Sequence, residues 1–327
     1  MTDRTRAGVA AMLLATLICG LAPHPALADY PDRLIRLIVP QAPGSATDVL
    51  ARILGAELGT QLGQSVVVEN RPGGALTIGL DLTAKAPPDG YTLGMGPVGA
   101  LAITRHMVRK LPYDIERDFQ PIAQVTRGQM LLAVSPKVSI HSVQQLIAHA
   151  RANPGVLVNV SSSNGSPGHV GGELFKFMTQ TQIAHVPYRG GSMAITDLIS
   201  GHVQLMFESL GSIAPYARSG EVRGLAVTGA LRSTAFPDIP TIAESGVPGY
   251  EATTWSGVIG PAGIPRPIVD TLNAAINRAL RTKTFEERFF ALGDEAAGGT
   301  PEDFAATIAK DSAKWLDVIK RSGAKLD

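Results

Sequence analysis

Two side chains of one glycine-rich turn, Ser166 and His169, have the types that hydrolytic chemistry needs. A serine nucleophile on a strand-to-helix turn follows the pattern G-x-S-x-G, but Asn164 stands where the first glycine should be. His169 lies three residues beyond the serine in the same turn, which is a poor position for the base of a triad. We therefore expect His169 to pack or to hydrogen-bond at a helix N-terminus. A hydrolase built on Ser166 and His169 is the alternative to a binding function.

The spacing of the histidines and acidic residues predicts no metal site. Asp114, Glu116 and Asp118 alternate along the chain but lack the glycine and the closing glutamate of a calcium loop. The only cysteine lies within the first 28 residues. None of the remaining histidines has the H-x-x-x-H or H-E-x-x-H spacing of zinc ligands; these are His106, His141, His149, His185 and His202.

Residues 94–99 read Gly-Met-Gly-Pro-Val-Gly and match the G-x-G-x-x-G pattern of dinucleotide-binding turns. This turn comes third in the alternation of strands and helices instead of opening it, and Pro97 removes an amide that a pyrophosphate would use. We therefore predict no cofactor. The motif is interpreted as a glycine-lined turn that presents Val98 and Gly99 to a cleft.

Residues 34–62 have the pattern of a buried strand, a glycine turn and a helix. Ser45, Thr47 and Asp48 follow Gly44 and are residue types that commonly cap the start of a helix. The first amides of a helix have no intrahelical partner, and with the helix dipole they attract anions. The pattern therefore favours an anion site, although an ordinary strand-to-helix turn has the same pattern.

Polar or glycine-rich turns recur after the predicted strands, at Gly44–Asp48, Gly94–Ala100, Ser161–His169, Tyr188–Gly191 and Glu208–Gly211. In an open parallel sheet such turns gather at the carboxyl ends of the strands, where ligands bind. Two of them come from the first half of the chain and three from the second. This distribution predicts two lobes that face each other across a cleft.

The elements that must position these turns alternate between short strands and helices, which predicts an α/β fold with a parallel sheet in each lobe. Residues 118–125 and 130–134 have the character of consecutive extended segments. Residues 255–259 return to strand character, and three helices are predicted after them. Hydrophobic residues make up 45% of the 327 residues and charged residues 17%, as in packed globular proteins.

The first 28 residues have a basic start, an apolar run and the small-x-small sequence Ala26-Leu27-Ala28. We predict that they form a secretory signal peptide that is cleaved before Asp29, and that the mature protein is exported to the periplasm. Cleavage would bring the formal net charge from +1 to zero, because two arginines and one aspartate are lost. A neutral chain of this kind predicts no nucleic-acid partner.

Eight ordered segments of the chain resemble the Bug-type extracytoplasmic solute-binding proteins, the receptors of tripartite tricarboxylate transporters. The similarity extends from about Tyr30 to Asp327. It is carried by Ile38-Val-Pro-x-Ala-Pro-Gly44 with Ala46-Thr-Asp48, Val67-Val-Glu-Asn-Arg-Pro-Gly73, Pro88-Asp-Gly-Tyr-Thr-Leu93, Leu111-Pro-Tyr-Asp114, Gly171-Gly-Glu-Leu-Phe175, His185-Val-Pro-Tyr-Arg-Gly190, Leu225-Ala-Val-Thr228 with Pro237-Asp-Ile-Pro-Thr241, and Gly260-Pro-Ala-Gly-Ile-Pro265.

The resemblance implies a two-lobed, type II periplasmic binding protein fold, with a mostly parallel sheet flanked by helices in each lobe. Lobe one is expected at residues 29–125 and 255–327, and lobe two at residues 126–254. The protein is expected to be a monomer that binds a small carboxylate and contacts the subunits of a membrane transporter. A sensor for a membrane signalling partner would have the same sequence features, and so would receptors for many different carboxylates.

The resemblance also implies which residues contact the ligand. In lobe one the amides and hydroxyl of Ser45, Ala46 and Thr47 are expected to hold one carboxylate, with Asp48 as a helix cap. From lobe two the expected contacts are Ser163, Asn164, Ser166, Tyr188, Arg189 and Gly190. Four features depart from the family pattern and leave the ligand open: Gln41, Ser45, the segment Gly74-Ala-Leu-Thr77, and Glu208.

Overall fold

The structure, a computed structural model, describes residues 30–291 and 293–322. The predicted signal peptide, with Cys19, lies outside the described residues. Residues 33–291 and 293–322 belong to one compact unit. Within the described residues, no helix has the length and apolar character needed to cross a membrane.

Strands and helices alternate along the chain as predicted. The strands are β1 (Ile35–Val39), β2 (Val66–Asn70), β3 (Thr92–Pro97), β4 (Phe119–Val134), β5 (Val158–Ser161), β6 (Ala184–Pro187), β7 (Leu205–Ser209), β8 (Arg223–Val227), β9 (Thr253–Pro261) and β10 (Asp294–Ala296). The helices are α1 (Ala46–Leu62), α2 (Thr77–Ala84), α3 (Ile115–Asp118), α4 (Val143–Ala152), α5 (Pro167–Thr179), α6 (Gly191–Ser200), α7 (Leu210–Arg218), α8 (Arg266–Ala279), α9 (Lys283–Ala291) and α10 (Pro301–Ser322). A short π-helical turn at Gly99–Ile103 follows β3.

The strands pair in the order β2-β1-β3-β9-β4-β7-β5-β6, with β8 and β10 also paired to β4. Two groups of strands are parallel, β2-β1-β3 and β7-β5-β6. The long strands β9 and β4 run antiparallel to their neighbours. The fold is therefore α/β as predicted, but the sheet is mixed, because two long strands join the two parallel groups.

Strand β4 belongs to both groups. Up to Gln129 it pairs with β9, and from Met130 onward it pairs with β7 and β8. The two extended segments predicted here are therefore one continuous strand. Gly128 lies just before the change of partner, where a Cβ would be 1.9 Å from Asp294 Oδ1 and 2.8 Å from Thr254 Oγ1, so a larger residue would displace these side chains. The lobe boundaries expected from the resemblance stay a prediction.

The core is built from both parallel groups and the C-terminal helix. Leu101, Phe175, Phe207 and Trp315 are buried in one continuous cluster. Helix α10 packs on α5, on β4 and on the π-helical turn. Because burial of apolar surface is the main favourable term in folding, this shared core fixes the turns of the two groups relative to each other.

Candidate functional site

The N-terminus of α1 is capped by Ser45, as the sequence predicted. Its hydroxyl accepts a hydrogen bond from the amide of Asp48 at 3.2 Å. The carboxylate of Asp48 reaches back and accepts from the amide of Gly44 at 2.8 Å. This reciprocal arrangement is similar to a capping box, except that the carboxylate accepts from the residue before the N-cap and not from the N-cap itself. It supports the predicted role of Asp48 as a cap.

Asp48 is also held from the side by Arg52 and Asn70. Asn70 Nδ2 donates to Asp48 Oδ1 at 2.9 Å, and Arg52 Nε donates to Oδ2 at 3.1 Å. Burial by itself would raise the pKa of Asp48, but hydrogen bonds from Arg52, the Gly44 amide and Asn70 outweigh it, so the pKa lies below its usual value. Asp48 is therefore an anion that is fully engaged in the turn.

Two amides of this turn remain for a ligand. The Ser45 amide donates to Ala42 O at 3.2 Å, and the Asp48 amide is taken by the cap. Among residues 30–291 and 293–322, the amides of Ala46 and Thr47 have no hydrogen-bond partner. Of the three amides expected to hold a carboxylate, these two are unengaged at the positive end of the helix dipole.

The neighbouring turn after β2 is connected to the first by Asn70, whose Nδ2 also donates to Gln41 O at 3.0 Å. Gln41 Oε1 is buried and has no protein partner in the described part of the chain. Thr77 Oγ1 donates to Gly74 O at 2.7 Å, so this hydroxyl holds the turn. Gln41 is thus tied to Asp48 through Asn70, whereas Thr77 closes the turn in front of α2.

Four successive residues of this turn have positive φ: 118° at Gly73, 56° at Gly74, 52° at Ala75 and 77° at Leu76. Non-glycine residues rarely adopt this conformation, and it costs them about 1–2 kcal/mol each. Strain of this kind persists where surrounding contacts over-determine the backbone, and it is concentrated at functional sites.

The turn after β3 meets the turn after β5. Val98 and Gly99 are both buried. A Cβ at Gly99 would lie 3.4 Å from Leu76 Cδ1, 3.6 Å from Gly165 O and 3.8 Å from Pro167 Cδ. Gly99 therefore lies where turns from both parallel strand groups meet, and a Cβ there would make ordinary van der Waals contacts with them.

Ser166 and His169 do not form a catalytic pair. Ser166 caps α5, and its hydroxyl accepts from the backbone amide of His169 at 3.3 Å. His169 Nδ1 instead accepts from the amide of Gly165 at 3.1 Å, and its Nε2 lies 4.0 Å from Glu173. Burial and the nearby Lys176 lower the pKa of His169 to about 4. The histidine is thus a buried hydrogen-bonding group at a helix N-terminus, as the sequence predicted.

The same turn is tied to β6 by a second histidine. His185 Nε2 lies 2.8 Å from Ser161 Oγ, and the hydroxyl donates onward to Ser163 O at 2.9 Å. Ser163 and Asn164 themselves are exposed at the tip of the turn. The tip is therefore accessible while its base is held by buried side chains.

The turn after β6 is hydrogen-bonded to the turn after β5. The amide of Tyr188 donates to Ser161 O at 2.9 Å, and the amide of Gly190 donates to Ser162 O at 3.0 Å. The hydroxyl of Tyr188 donates to Asp197 on α6 at 2.5 Å, which raises the pKa of Tyr188 to about 12. Tyr188 thus anchors this turn through Asp197.

Arg189 is exposed and makes no ion pair with the described residues. It extends from a turn whose neighbouring amides of Tyr188 and Gly190 are engaged. A guanidinium matches a carboxylate in geometry and charge.

Glu208 ends the series of turns. It is 8% exposed, and its Oε1 accepts from the amide of Ser209 at 3.0 Å. A Cβ at Gly191 would lie 3.2 Å from Oε2, so the carboxyl group lies beside the N-terminus of α6. Burial raises the pKa of Glu208 to about 7 despite the opposing effect of the Ser209 amide.

The five predicted turns are therefore linked in series, through Asn70, Leu76, Gly99, Ser162 and Gly191. Sequence reasoning missed Asn70, His185, Asp197 and Leu76, which hold the turns from behind or pack between them. These roles could not be read from the sequence, because each depends on a partner far along the chain. Asn70 lies 22 residues from Asp48, and His185 lies 24 residues from Ser161. In the part of the chain that the structure describes, no group of three or more histidine, cysteine, aspartate or glutamate side chains could hold a metal ion.

Two parallel strand groups joined by long antiparallel strands, with polar turns that meet from both groups, are an architecture shared with the periplasmic binding protein BugD, which is 30% identical with a TM-score of 0.83 and covers 90% of this chain and 99% of that one. The chain belongs to the family described as the tripartite tricarboxylate transporter family receptor, which it matches over residues 50–324. This confirms the resemblance seen in the sequence.

Individual relatives agree with this assignment. Protein BugT of Bordetella pertussis is 38% identical over 308 residues, which cover 94% of each chain. The structure of R. palustris Rpa4515 with adipate is 39% identical with a TM-score of 0.86, and covers 91% of this chain and 100% of that one. MatC of Rhodopseudomonas palustris with bound malate is 29% identical with a TM-score of 0.82, and covers 89% of this chain and 100% of that one.

Proposed function

We propose that this protein is a periplasmic receptor that captures a small organic carboxylate in a cleft between two lobes and delivers it to the membrane subunits of a tripartite tricarboxylate-type transporter. The observation that carries the proposal is the pair of unengaged amides at Ala46 and Thr47, at the start of a 17-residue helix. The family and the relatives with adipate and malate support a carboxylate as the anion.

The charges around the N-terminus of α1 favour the binding of a single ligand carboxylate there. Asp48 is buried and paired, so its charge is compensated by Arg52 and by hydrogen bonds from Gly44 and Asn70. The carboxylate of a ligand would then add one negative charge to a helix N-terminus, where anions are stabilised by about 0.3–1 kcal/mol or more when partly buried. Arg189, which is exposed and forms no ion pair with the described residues, would pair with the second end of the ligand.

The hydrogen bonds of Ser166 and His169 also fit a binding function. Acyl transfer needs a base within hydrogen-bond reach of the serine hydroxyl. Here the serine hydroxyl accepts a backbone amide, and the imidazole nitrogens face Gly165 and Glu173. This supports a receptor over the hydrolase alternative.

The test is a thermal-shift screen of the mature protein with dicarboxylates of four to eight carbons, their hydroxy and amino derivatives, and aromatic acids. A ligand at a hundred times its Kd should add about 2.7 kcal/mol to the free energy of unfolding. Calorimetric titration then gives the affinity. A protein that none of these acids stabilises would contradict the proposed ligand class.

Closure of the two predicted lobes is tested on the same samples. Small-angle scattering should give a smaller radius of gyration with saturating ligand, as hinge-closing receptors show.

Intact mass of the exported protein should place its N-terminus at or near Asp29, and light scattering should give the mass of a monomer. A mature protein that begins at a lipidated Cys19 would contradict the proposed export route.

A further inference from the structure

The left-handed turn at Gly73–Leu76 places a leucine where the chain geometry favours glycine. Leu76 has φ 77° and ψ 0°, a conformation that residues with bulky side chains rarely adopt. Glycine would form the same turn without strain. The leucine side chain at this position therefore calls for a role that glycine cannot fill.

The turn is held closed by three hydrogen bonds. The Leu76 amide donates to Gly73 O at 3.0 Å, and Thr77 Oγ1 donates to Gly74 O at 2.7 Å. Thr104 Oγ1 donates to Ala75 O at 3.2 Å. Each carbonyl from Gly73 to Ala75 thus has a partner, which holds the backbone that carries the Leu76 side chain.

The Leu76 side chain extends to the point where the predicted ligand-binding turns meet. Leu76 is half-buried and packs on the core, and its Cδ1 lies 3.4 Å from the Cβ position of Gly99. The same position is 3.6 Å from Gly165 O and 3.8 Å from Pro167 Cδ. Leu76 is therefore, like the buried Val98, an apolar group among turns that also present amides, hydroxyls and carbonyls.

We propose that Leu76 determines the ligand selectivity of this site, by forming an apolar wall that favours carboxylates with an unsubstituted hydrocarbon chain over hydroxylated ones. The inference rests on the proposed function. A ligand hydroxyl that is buried against the leucine loses its hydrogen bonds to water and finds no partner there. An unsubstituted chain buries apolar surface at the same place.

The experiment compares pairs of acids of equal length: succinate with malate, and adipate with galactarate. The wild-type protein should bind the unsubstituted member of at least one pair at least ten times more tightly. Leu76→Asn should reduce that ratio at least tenfold, because asparagine tolerates the left-handed conformation and offers hydrogen bonds to a hydroxyl. Leu76→Met keeps an apolar side chain and should keep the wild-type ratio.

Ala75→Asn is the matched control, since Ala75 has the same left-handed conformation one residue earlier. It should leave the ratio unchanged. If Leu76→Asn does not fold, Leu76→Ala supplies the test, and its ratio should fall in the same direction. A wild-type ratio near one, or a ratio that is the same in the wild type and in Leu76→Asn or Leu76→Ala, overturns the inference while the binding function stands. A wild-type protein that binds none of the four acids nor any other acid of the broader screen overturns the proposed function and the inference with it.

Discussion

The imidazole rings of His169 and His185 stack face to face, with their centroids 3.9 Å apart and their planes within 7°. One ring accepts from the Gly165 amide and the other lies against the hydroxyl of Ser161. The stack thus joins α5 to β6 behind the exposed tip of the turn. Two imidazoles stacked at this distance strongly disfavour the state in which both are protonated, because the two positive charges would repel.

This stack predicts a loss of stability in mild acid. Burial, together with the nearby Lys176, lowers the pKa of His169 to about 4. Burial also lowers the pKa of His185 to about 3, with smaller contributions from His169 and Lys176. The unfolded chain takes up protons below about pH 6.5, whereas the folded chain does not until about pH 4. The free energy of unfolding should therefore fall over this window, by about 1.4 kcal/mol per pH unit for each proton.

His185→Phe keeps a flat ring on His169 and removes one titrating group, so the decline between pH 6.5 and 4 should become shallower. Urea unfolding at pH 8, 6.5, 5 and 4 measures it. The exposed His141→Phe serves as the control and should follow the wild-type curve. An equal slope for His185→Phe and the wild type would show that the pair does not carry the acid sensitivity.

Glu208 predicts the opposite dependence on pH. Its pKa is raised to about 7 by burial, so the folded protein keeps this proton above pH 4.5, where the unfolded chain has lost it. The stability that this provides is lost as the pH rises from 4.5 through 7. Glu208→Gln should therefore be more stable than the wild type at pH 8, by up to about 3 kcal/mol, and the gain should shrink toward pH 5.

Thermal unfolding at both pH values, with the exposed Glu251→Gln as the control, measures this difference. Under the proposed function, the wild type should also bind a dianionic carboxylate more weakly at pH 8 than at pH 6, because ionised Glu208 repels it. Glu208→Gln should remove that part of the dependence. A gain in stability that is the same at pH 5 and pH 8 would contradict a raised pKa.

Gly44 and Gly63 lie at the two ends of α1 with similar left-handed conformations, φ 79° and 66°, and open space beside each Cα. Replacing either residue by valine should cost about 1–2 kcal/mol of stability, since the strain is the same. Only Gly44→Val should also weaken carboxylate binding, by at least about a hundredfold, through loss of access to the amides of Ala46 and Thr47.

Calorimetric titration of both variants, with circular dichroism to verify folding, separates the two effects. Gly63→Val controls for strain in the same helix. If Gly44→Val folds and binds with wild-type affinity, the anion is held elsewhere and the α1 turn is only a connection.

The hydrogen bond between Asn70 and Asp48 predicts energetic coupling between two turns. Asp48→Asn should lower the free energy of unfolding at pH 7 by about 1–3 kcal/mol, because Gly44 and Arg52 lose a charged acceptor. The pKa of Asp48 is lowered in the fold, so this difference should diminish as the pH falls below its usual value of 3.8.

A double-mutant cycle with Asp48→Ala and Asn70→Ala isolates the pair. Coupling of about 0.5–3 kcal/mol is expected for residues in one network. Strictly additive effects would mean that the asparagine stabilises the turn through Gln41 O and Arg52 and not through Asp48.

The sequence alone determined the parts that depend on local rules. The hydrophobic periodicity and the turn residues predicted the alternation of strands and helices. Ser45 and Ser166 were recognisable as caps because a capping side chain accepts from an amide within three residues. The failure of Ser166 and His169 as a catalytic pair was also predictable, since both lie in one turn. The family followed from ordered motifs, which the comparison confirmed.

Only the tertiary structure decided how the turns are joined. No local rule predicts that β4 continues through Gln129 and changes partner, because that depends on strands distant in the chain. Nor could it predict the stack of His169 on His185, or the left-handed backbone that directs Leu76 toward Gly99. Contacts of this kind are fixed by packing between segments far apart in sequence, where burial and hydrogen bonding outweigh the local preference of each residue.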